Sequence, residues 1–356
     1  MKNQNIIVTN QLEEHLSQCI DDLNPDQLFI LTDSQTHRHC LPLIRDYDCL
    51  LNANISSIPS GDENKTVQSL MFTWKNLSAL GASRKSLLLN LGGGVITDLG
   101  GFAAATFKRG MRCINIPTTL LAMVDASLGG KTGINFNGFK NEVGAFYEAE
   151  SVLIHLPFLK TLDRENNLSG YAEMLKHGLL FPVAHYDELL NFEFSTHTDF
   201  DQLALLLEES LAVKRHYVSI DPLEQGLRKV LNLGHTIGHA FESFALADKR
   251  PVHHGYAVAW GLICELYIAH KQCQFPKEDL KILIDLIKDR YGVFEITCKS
   301  YDRLYDYVLH DKKNTKGAGI VTMPLLKKRG EASLDETIDK ELIYESFDFY
   351  RDFMGI

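Results

Sequence analysis

Glu173 and Lys176 stand one helical turn apart in YAEMLKHGLL, His235 and His239 stand four residues apart in NLGHTIGHAFE, and His253-His254-Gly255 opens a further helical pattern. On a helix, residues at i and i+4 share a face. A carboxylate and two imidazoles drawn from separate helices suffice for a catalytic divalent zinc with one position left open. Imidazole and carboxylate together suit such a borderline ion without thiolates. Spacing alone leaves the ligand set open. His177 and His239 compete for the same role, and a chain with 14 histidines places some at i,i+4 by chance.

A second concentration of chemistry lies between Leu87 and Gly144. That stretch holds eleven of the 25 glycines, with five cations (Lys108, Arg109, Arg112, Lys131, Lys140) against three acids (Asp98, Asp125, Glu142). Glycine lets backbone approach a ligand closely, and local positive charge attracts anions. The whole chain is net −10, with 46 Asp and Glu against 36 Lys and Arg. General nucleic-acid binding is therefore excluded, and an anionic ligand must be met by a local cationic site.

These groups need a scaffold. QLFILT, Gln27 to Thr32, and Ser86 to Leu91 are short apolar runs of the kind buried parallel strands show. Residues 51 to 60 and Cys113 to Ile116 read as further strands. Gly92-Gly93-Gly94 follows the second run and precedes a helix, Val95 to Ala105. Strand, glycine turn and helix N-terminus together make an anion site, although three glycines also suit a plain tight turn and GxGxxG is absent. GDENK, Gly61 to Lys65, precedes the helical pattern Val67 to Leu80. Read alone, it is more simply a helix start with acids nearby than a ribose and phosphate contact. Thr118-Thr119 offer hydroxyls beyond a strand's carboxyl end, one of them explicable as an N-cap. The run from Asp125 to Gly144 reads as glycine-rich loops.

Near residue 160 alternating strand and helix gives way to helical patterns at 169–180, 200–219, 230–247, 255–273, 277–290 and 301–310. The expected fold is α/β: a Rossmann-like parallel-sheet domain over 1–160, then an all-helical domain over 161–356. No apolar run is long enough to span a membrane, and the N-terminus lacks a signal-peptide pattern. Seven cysteines without a CxxC pair are expected as reduced thiols, so the cytoplasm is the expected compartment.

Taken in order, GGGVITDLGGFAAATFKRG, IPTTLLAMVDASLGGKTGIN, KNEVGAF, GYAEMLKHG, GLRKVLNLGHTIGHAFE, HGYAVAWGL and HDKK resemble the motif set of the 3-dehydroquinate synthases. The resemblance runs from about Asp33 to about Pro324. It implies a zinc- and NAD-dependent lyase, with cobalt as an alternative metal, acting as a homodimer without nucleic-acid or membrane partners. Its substrate would be a phosphorylated heptulosonate, 3-deoxy-D-arabino-heptulosonate 7-phosphate, and its products 3-dehydroquinate and phosphate. Transient oxidation by NAD, phosphate elimination, re-reduction and an intramolecular aldol closure make up the implied course.

Carried over motif by motif, the implied zinc ligands are Glu173, His235 and His254. NAD contacts fall on Asp33, Asp62, Lys65, Gly93, Gly94, Val95, Asp98, Thr118, Thr119, Asp125, Lys140, Phe158, Thr161 and Leu162. The substrate would meet Arg109, Lys131, Asn141, Lys176, Lys214, Arg228, Asn232, His239 and Lys312, with Arg109 a group that a partner subunit can supply and His239 the proton shuttle. Three positions depart from the family pattern: Asp62 stands where Glu is usual, Phe139 replaces a glycine, and Tyr256 replaces a Glu after His254-Gly255. Arg109, Lys214, Arg228 and Asn232 favour a carboxylate-bearing substrate over those of the related sugar-phosphate cyclases, such as 2-deoxy-scyllo-inosose or amino-dehydroquinate synthase. A metal-dependent polyol dehydrogenase, the other rival, would release NADH and need fewer cations.

Overall fold

The computed structural model describes residues 4–137, 139–181, 185–195, 198–310 and 320–356, with only the backbone at 139. The chain forms two compact units, Met1–Asp163 with Phe200–Ala204, and Arg164–Asp199 with Leu205–Ile356.

The first unit alternates strand and helix. Its elements are β1 (Asn5–Val8), α1 (Leu12–Leu23), β2 (Leu28–Asp33), α2 (Ser34–His39), β3 (Asn54–Ile58), α3 (Val67–Ala79), β4 (Leu87–Gly92), α4 (Gly94–Thr106), β5 (Arg112–Pro117), β6 (Lys131–Phe136), β7 (Phe139–Phe146) and β8 (Ser151–Ile154). Six strands make one parallel sheet in the order β1-β8-β5-β4-β2-β3. Strand β4 is central and buried along its whole length, which is why its sequence, LLLNLG, is apolar almost throughout. Its one polar side chain, Asn90, donates to Asn115 Oδ1 on β5 at 2.9 Å. The register pairs Gly92 with Pro117 and Leu31 with Asn90, so Asp33, Gly93 and Thr118 emerge at the carboxyl edge of the sheet, where open α/β sheets bind ligands. The core beneath is Phe29, Leu31, Leu88, Ile96, Leu99 and Ala103, all but excluded from solvent.

The run expected as loops is instead a hairpin. Strands β6 and β7 pair antiparallel, with Gly133 opposite Gly144. A Cβ on Gly133 would lie 2.7 Å from Val143 O, so the glycine serves the close approach of two strands.

The second unit contains α5 (Arg164–Leu180), α6 (His185–Asn191), α7 (Phe200–Ile220) from Leu205 onward, α8 (His235–Ala247), α9 (His254–Cys273), α10 (Lys277–Tyr291), α11 (Tyr301–Leu309), β9 (Val321–Lys328), β10 (Glu331–Ile338) and α12 (Lys340–Met354). It is not all-helical as expected: β9 and β10 form an antiparallel hairpin around Arg329-Gly330. Their burial does not alternate along either strand, so the sequence carries no period-two signal to set beside the helical patterns. The helix expected over 230–247 starts later, because Gly234 adopts φ +79° and separates the short 3-10 segment Leu227–Asn232 from α8.

Candidate metal and nucleotide sites

Three helices bring the first set of groups together. Glu173 lies in the fully buried half of α5, His235 is the first residue of α8, and His254 the first of α9. Glu173 Oε1 stands 3.3 Å from His235 Nε2 and 3.6 Å from His254 Nε2. That oxygen is buried and makes no hydrogen bond among the described residues. Four-coordinate zinc with bonds of about 2.0–2.1 Å separates its donors by roughly 3.3 Å, so the spacing suits three ligands on one small cation. The other imidazole nitrogens are engaged elsewhere. His235 Nδ1 lies 3.1 Å from Leu233 O, and His254 Nδ1 lies 3.2 Å from Glu242 Oε2. Such outer contacts fix which nitrogen a ring would turn to an ion.

Charge completes the arrangement. Lys176 Nζ donates to Glu173 Oε2 with both side chains buried. Burial opposes ionisation of Glu173, but the Lys176 ammonium outweighs it and holds the carboxyl well below the usual carboxylate range. Burial, opposed by Glu173 and reinforced by Lys176, pulls His235 down to about 4, leaving a neutral imidazole with a free lone pair. For His254 burial acts in the same direction, but Glu242 and Glu173 overcome it and lift the imidazole to about 10.

His239 joins this group, with ligand atoms of His235, His239 and His254 all within 4.8 Å of one another. His177 is fully buried in α5, and His253 caps α9 with its ring 5.9 Å from that of Tyr256. Tyr256 packs among aromatic rings, 5.0 Å from Tyr291 and 5.9 Å from Trp260, while Glu242 supplies the carboxylate beside His254. Glu242 went unread in the sequence, although 235, 239 and 242 fall on one stripe of a helix.

A second network sits in the sheet unit. Lys65 is buried and donates to Asp98 Oδ2 at 2.8 Å and to Asn141 Oδ1. Burial raises the pKa of Asp98 and Lys65 opposes that rise. Asp62 Oδ2 receives Lys140 Nζ at 3.1 Å and Asn135 Nδ2 at 3.2 Å, and Asn141 N donates to Asn135 Oδ1 at 3.0 Å. Asn135, missed in the sequence, thus ties the Asp62 turn to the β6–β7 hairpin. Gly93 is the N-cap of α4, and no side chain caps that helix, so its first turn with Gly94 and Val95 presents N–H groups suited to a phosphate.

The remaining expected residues divide between the units. Asp33 is committed to a capping box, receiving Gln35 N and Thr36 N at 2.9 Å each. Thr118 is buried with its N–H on Gly92 O, and Thr119 Oγ1 receives Ala122 N at 3.2 Å. Asp125 lies in the π-helical turn Ala122–Ala126, Lys131 is exposed at the start of β6, and Arg109 is exposed with φ +66°. Phe158 is fully buried, and its carbonyl receives Thr161 Oγ1 at 2.7 Å, just before Leu162. In the helical unit Lys214 and Arg228 are buried, Arg228 Nη1 donating to Pro222 O at 2.6 Å, and Asn232 Nδ2 donates to Glu224 Oε1 at 2.6 Å. Lys312 lies outside the described residues.

The sheet unit thus carries candidate ligand groups at its carboxyl edge, and the second unit brings Glu173, His235 and His254 together. The family models for the 3-dehydroquinate synthase N-terminal and C-terminal regions match residues 55–169 and 170–314. A 3-dehydroquinate synthase of Parabacteroides distasonis is 50% identical over 356 residues, the whole of both chains, and one of Streptococcus pyogenes is 35% identical over 91% of this chain and 90% of its own. The chain belongs to the 3-dehydroquinate synthase family and is an enzyme of the shikimate pathway.

Among solved structures, a 2-deoxy-scyllo-inosose synthase complexed with carbaglucose-6-phosphate, NAD+ and Co2+ is 25% identical with TM-score 0.84, covering 98% of this chain and 96% of that one. A 2-epi-5-epi-valiolone synthase from Streptomyces hygroscopicus, with NAD+ and Zn2+ bound, shares the fold at 22% identity and TM-score 0.84 over 99% of this chain and 98% of its own. A butanol dehydrogenase from Thermotoga maritima shares the fold alone, at 12% identity and TM-score 0.69 over 98% of this chain and 97% of that one.

Proposed function

We propose that Glu173, His235 and His254 hold a zinc or cobalt ion, and that the sheet unit holds NAD, for conversion of 3-deoxy-D-arabino-heptulosonate 7-phosphate into 3-dehydroquinate and phosphate. The observation that carries this reading is the buried Glu173 oxygen, without a hydrogen bond among the described residues and facing two Nε2 atoms at 3.3 and 3.6 Å. The cyclase solved with NAD+ and Co2+ supports it. When bound, the ion polarises a substrate hydroxyl and NAD takes up and returns a hydride, so no net reduced cofactor accumulates.

The chain's own residues do the rest. Asp62 and Lys65 receive the ribose of the nucleotide, and Gly93, Gly94 and Val95 turn N–H groups to its pyrophosphate. Asp33, Asp98, Thr118, Thr119, Asp125, Lys140, Phe158, Thr161 and Leu162 frame the remainder. Arg109, Lys131 and Asn141 bind the substrate phosphate, while Lys176, Lys214, Arg228, Asn232 and Lys312 meet its carboxylate and hydroxyls. His239 moves the proton, standing beside the ligand histidines without being required as a third imidazole. The protein acts as a cytoplasmic homodimer.

The test is phosphate release from the heptulosonate phosphate by purified protein with NAD and zinc. Release stops on chelation and in His235→Ala, with no net absorbance of reduced cofactor. Release that persists in His235→Ala overturns the metal reading, and stoichiometric NADH favours the dehydrogenase alternative.

A further inference from the structure

Helix α8 opens on a residue that cannot cap it. Its N-cap is Gly234, at φ +79°, where a Cβ would lie 2.7 Å from Leu262 Cγ of α9. Serine or aspartate, the usual caps, are therefore sterically shut out. The cap comes from the neighbouring helix. Glu265 of α9, fully buried, accepts the N–H of Gly234 through Oε2 at 2.6 Å and that of Ile237 through Oε1 at 2.9 Å. These are the N-cap and N3 donors that a capping box would serve from within the helix.

His235 lies between the two clamped amides. The same helix α9 begins with His254, and its second residue, Gly255, donates to Ser169 Oγ of α5 at 3.1 Å. Helices α8 and α9 meet backbone to backbone, since a Cβ on Gly238 would stand 2.9 Å from Ala257 O. Contact at that range leaves little room for the first turn of α8 to shift unless its end is released. A buried carboxylate is costly unless its oxygens are satisfied, and here each receives one amide at the positive end of a helix dipole.

We infer that Glu265 is a positioning residue: its carboxylate clamps the first turn of α8 against α9 so that His235 presents Nε2 to the point faced by Glu173 and His254. The inference rests on the metal reading proposed above.

The experiment compares the full-length wild-type, Glu265→Gln and Glu265→Asp proteins. Folding is read by circular dichroism, zinc affinity by competition with a chromogenic chelator, site geometry by the visible absorption of the cobalt form, and turnover as separate kcat and KM. Glutamine keeps the size but leaves one amide facing an NH2 group. Folded Glu265→Gln is expected to bind zinc about 10- to 100-fold more weakly, the range for outer contacts of metal sites. Its cobalt spectrum shifts and kcat falls at unchanged KM, with Glu265→Asp recovering part of both. A folded Glu265→Gln with wild-type affinity and spectrum overturns the inference. So does failure of both variants to fold, which assigns Glu265 to the fold alone. Wild-type protein that takes up neither zinc nor cobalt overturns the metal reading as well, a result distinct from wild-type uptake with an indifferent Glu265→Gln.

Discussion

His254 turns its Nδ1 to Glu242 Oε2, 3.2 Å away, and in doing so leaves Nε2 to face Glu173. One contact thereby sets both the ring's orientation and the nitrogen offered to a cation. Glutamine at 242 keeps the size and removes the charge. Glu242→Gln should weaken zinc binding by about 10- to 100-fold with little change in fold, measured by chelator competition against the wild type. Undiminished affinity would show that the backbone alone orients His254.

Lys176 is the buried counter-charge of Glu173. Replacing it by methionine removes the nearest counter-charge from a buried carboxylate and leaves only His254 to offset it, which costs up to about 3–5 kcal/mol. Lys176→Met should therefore lose that much stability by urea unfolding in metal-free buffer. Saturating zinc should return part of it, because an ion bound only by the native state stabilises by mass action. A loss that zinc leaves untouched would separate Glu173 from the metal.

Asp62, proposed above to receive the ribose, anchors Lys140 and Asn135. Asp62→Ala should raise the Kd for NAD about tenfold or more, as expected for the loss of a hydrogen bond to a charged group. Asp62→Glu, restoring the residue usual in the family, should bind NAD close to the wild type. Isothermal titration of the two variants decides whether the shorter side chain makes this contact.

His185 is buried against Ser210, its Nε2 2.9 Å from Oγ, and burial lowers its pKa to about 4. Glu209 Oε2 lies 3.0 Å from Nδ1 but is half exposed and screened, so burial prevails. Above pH 6.5 the ring is neutral in both folded and unfolded chains. As the pH falls from 6.5 to about 4, the unfolded chain takes up a proton that the native state refuses, and stability declines. The contribution is up to about 3 kcal/mol across that window. His185→Gln should reduce the drop in urea midpoint between pH 7 and pH 5, and an unchanged drop would place the acid sensitivity elsewhere.

The parallel strands and the candidate ligands were legible in the linear sequence. Buried parallel strands must be apolar along their length, so QLFILT and SLLLNL announce themselves. Carboxylate and imidazole at helical spacing likewise state what chemistry is available. The β6–β7 hairpin was not legible, because Gly133 and Gly144 read as loop glycines until the strand opposite each is known. Nor could spacing choose which of His177, His239, His253 and His254 faces Glu173 beside His235, or reveal that Glu242 stands against His254 and Glu265 against the first turn of α8. Those choices depend on which helix faces are pressed together and which nitrogen is already engaged, and only the packing of α5, α8 and α9 brings residues so distant along the chain within a few ångströms.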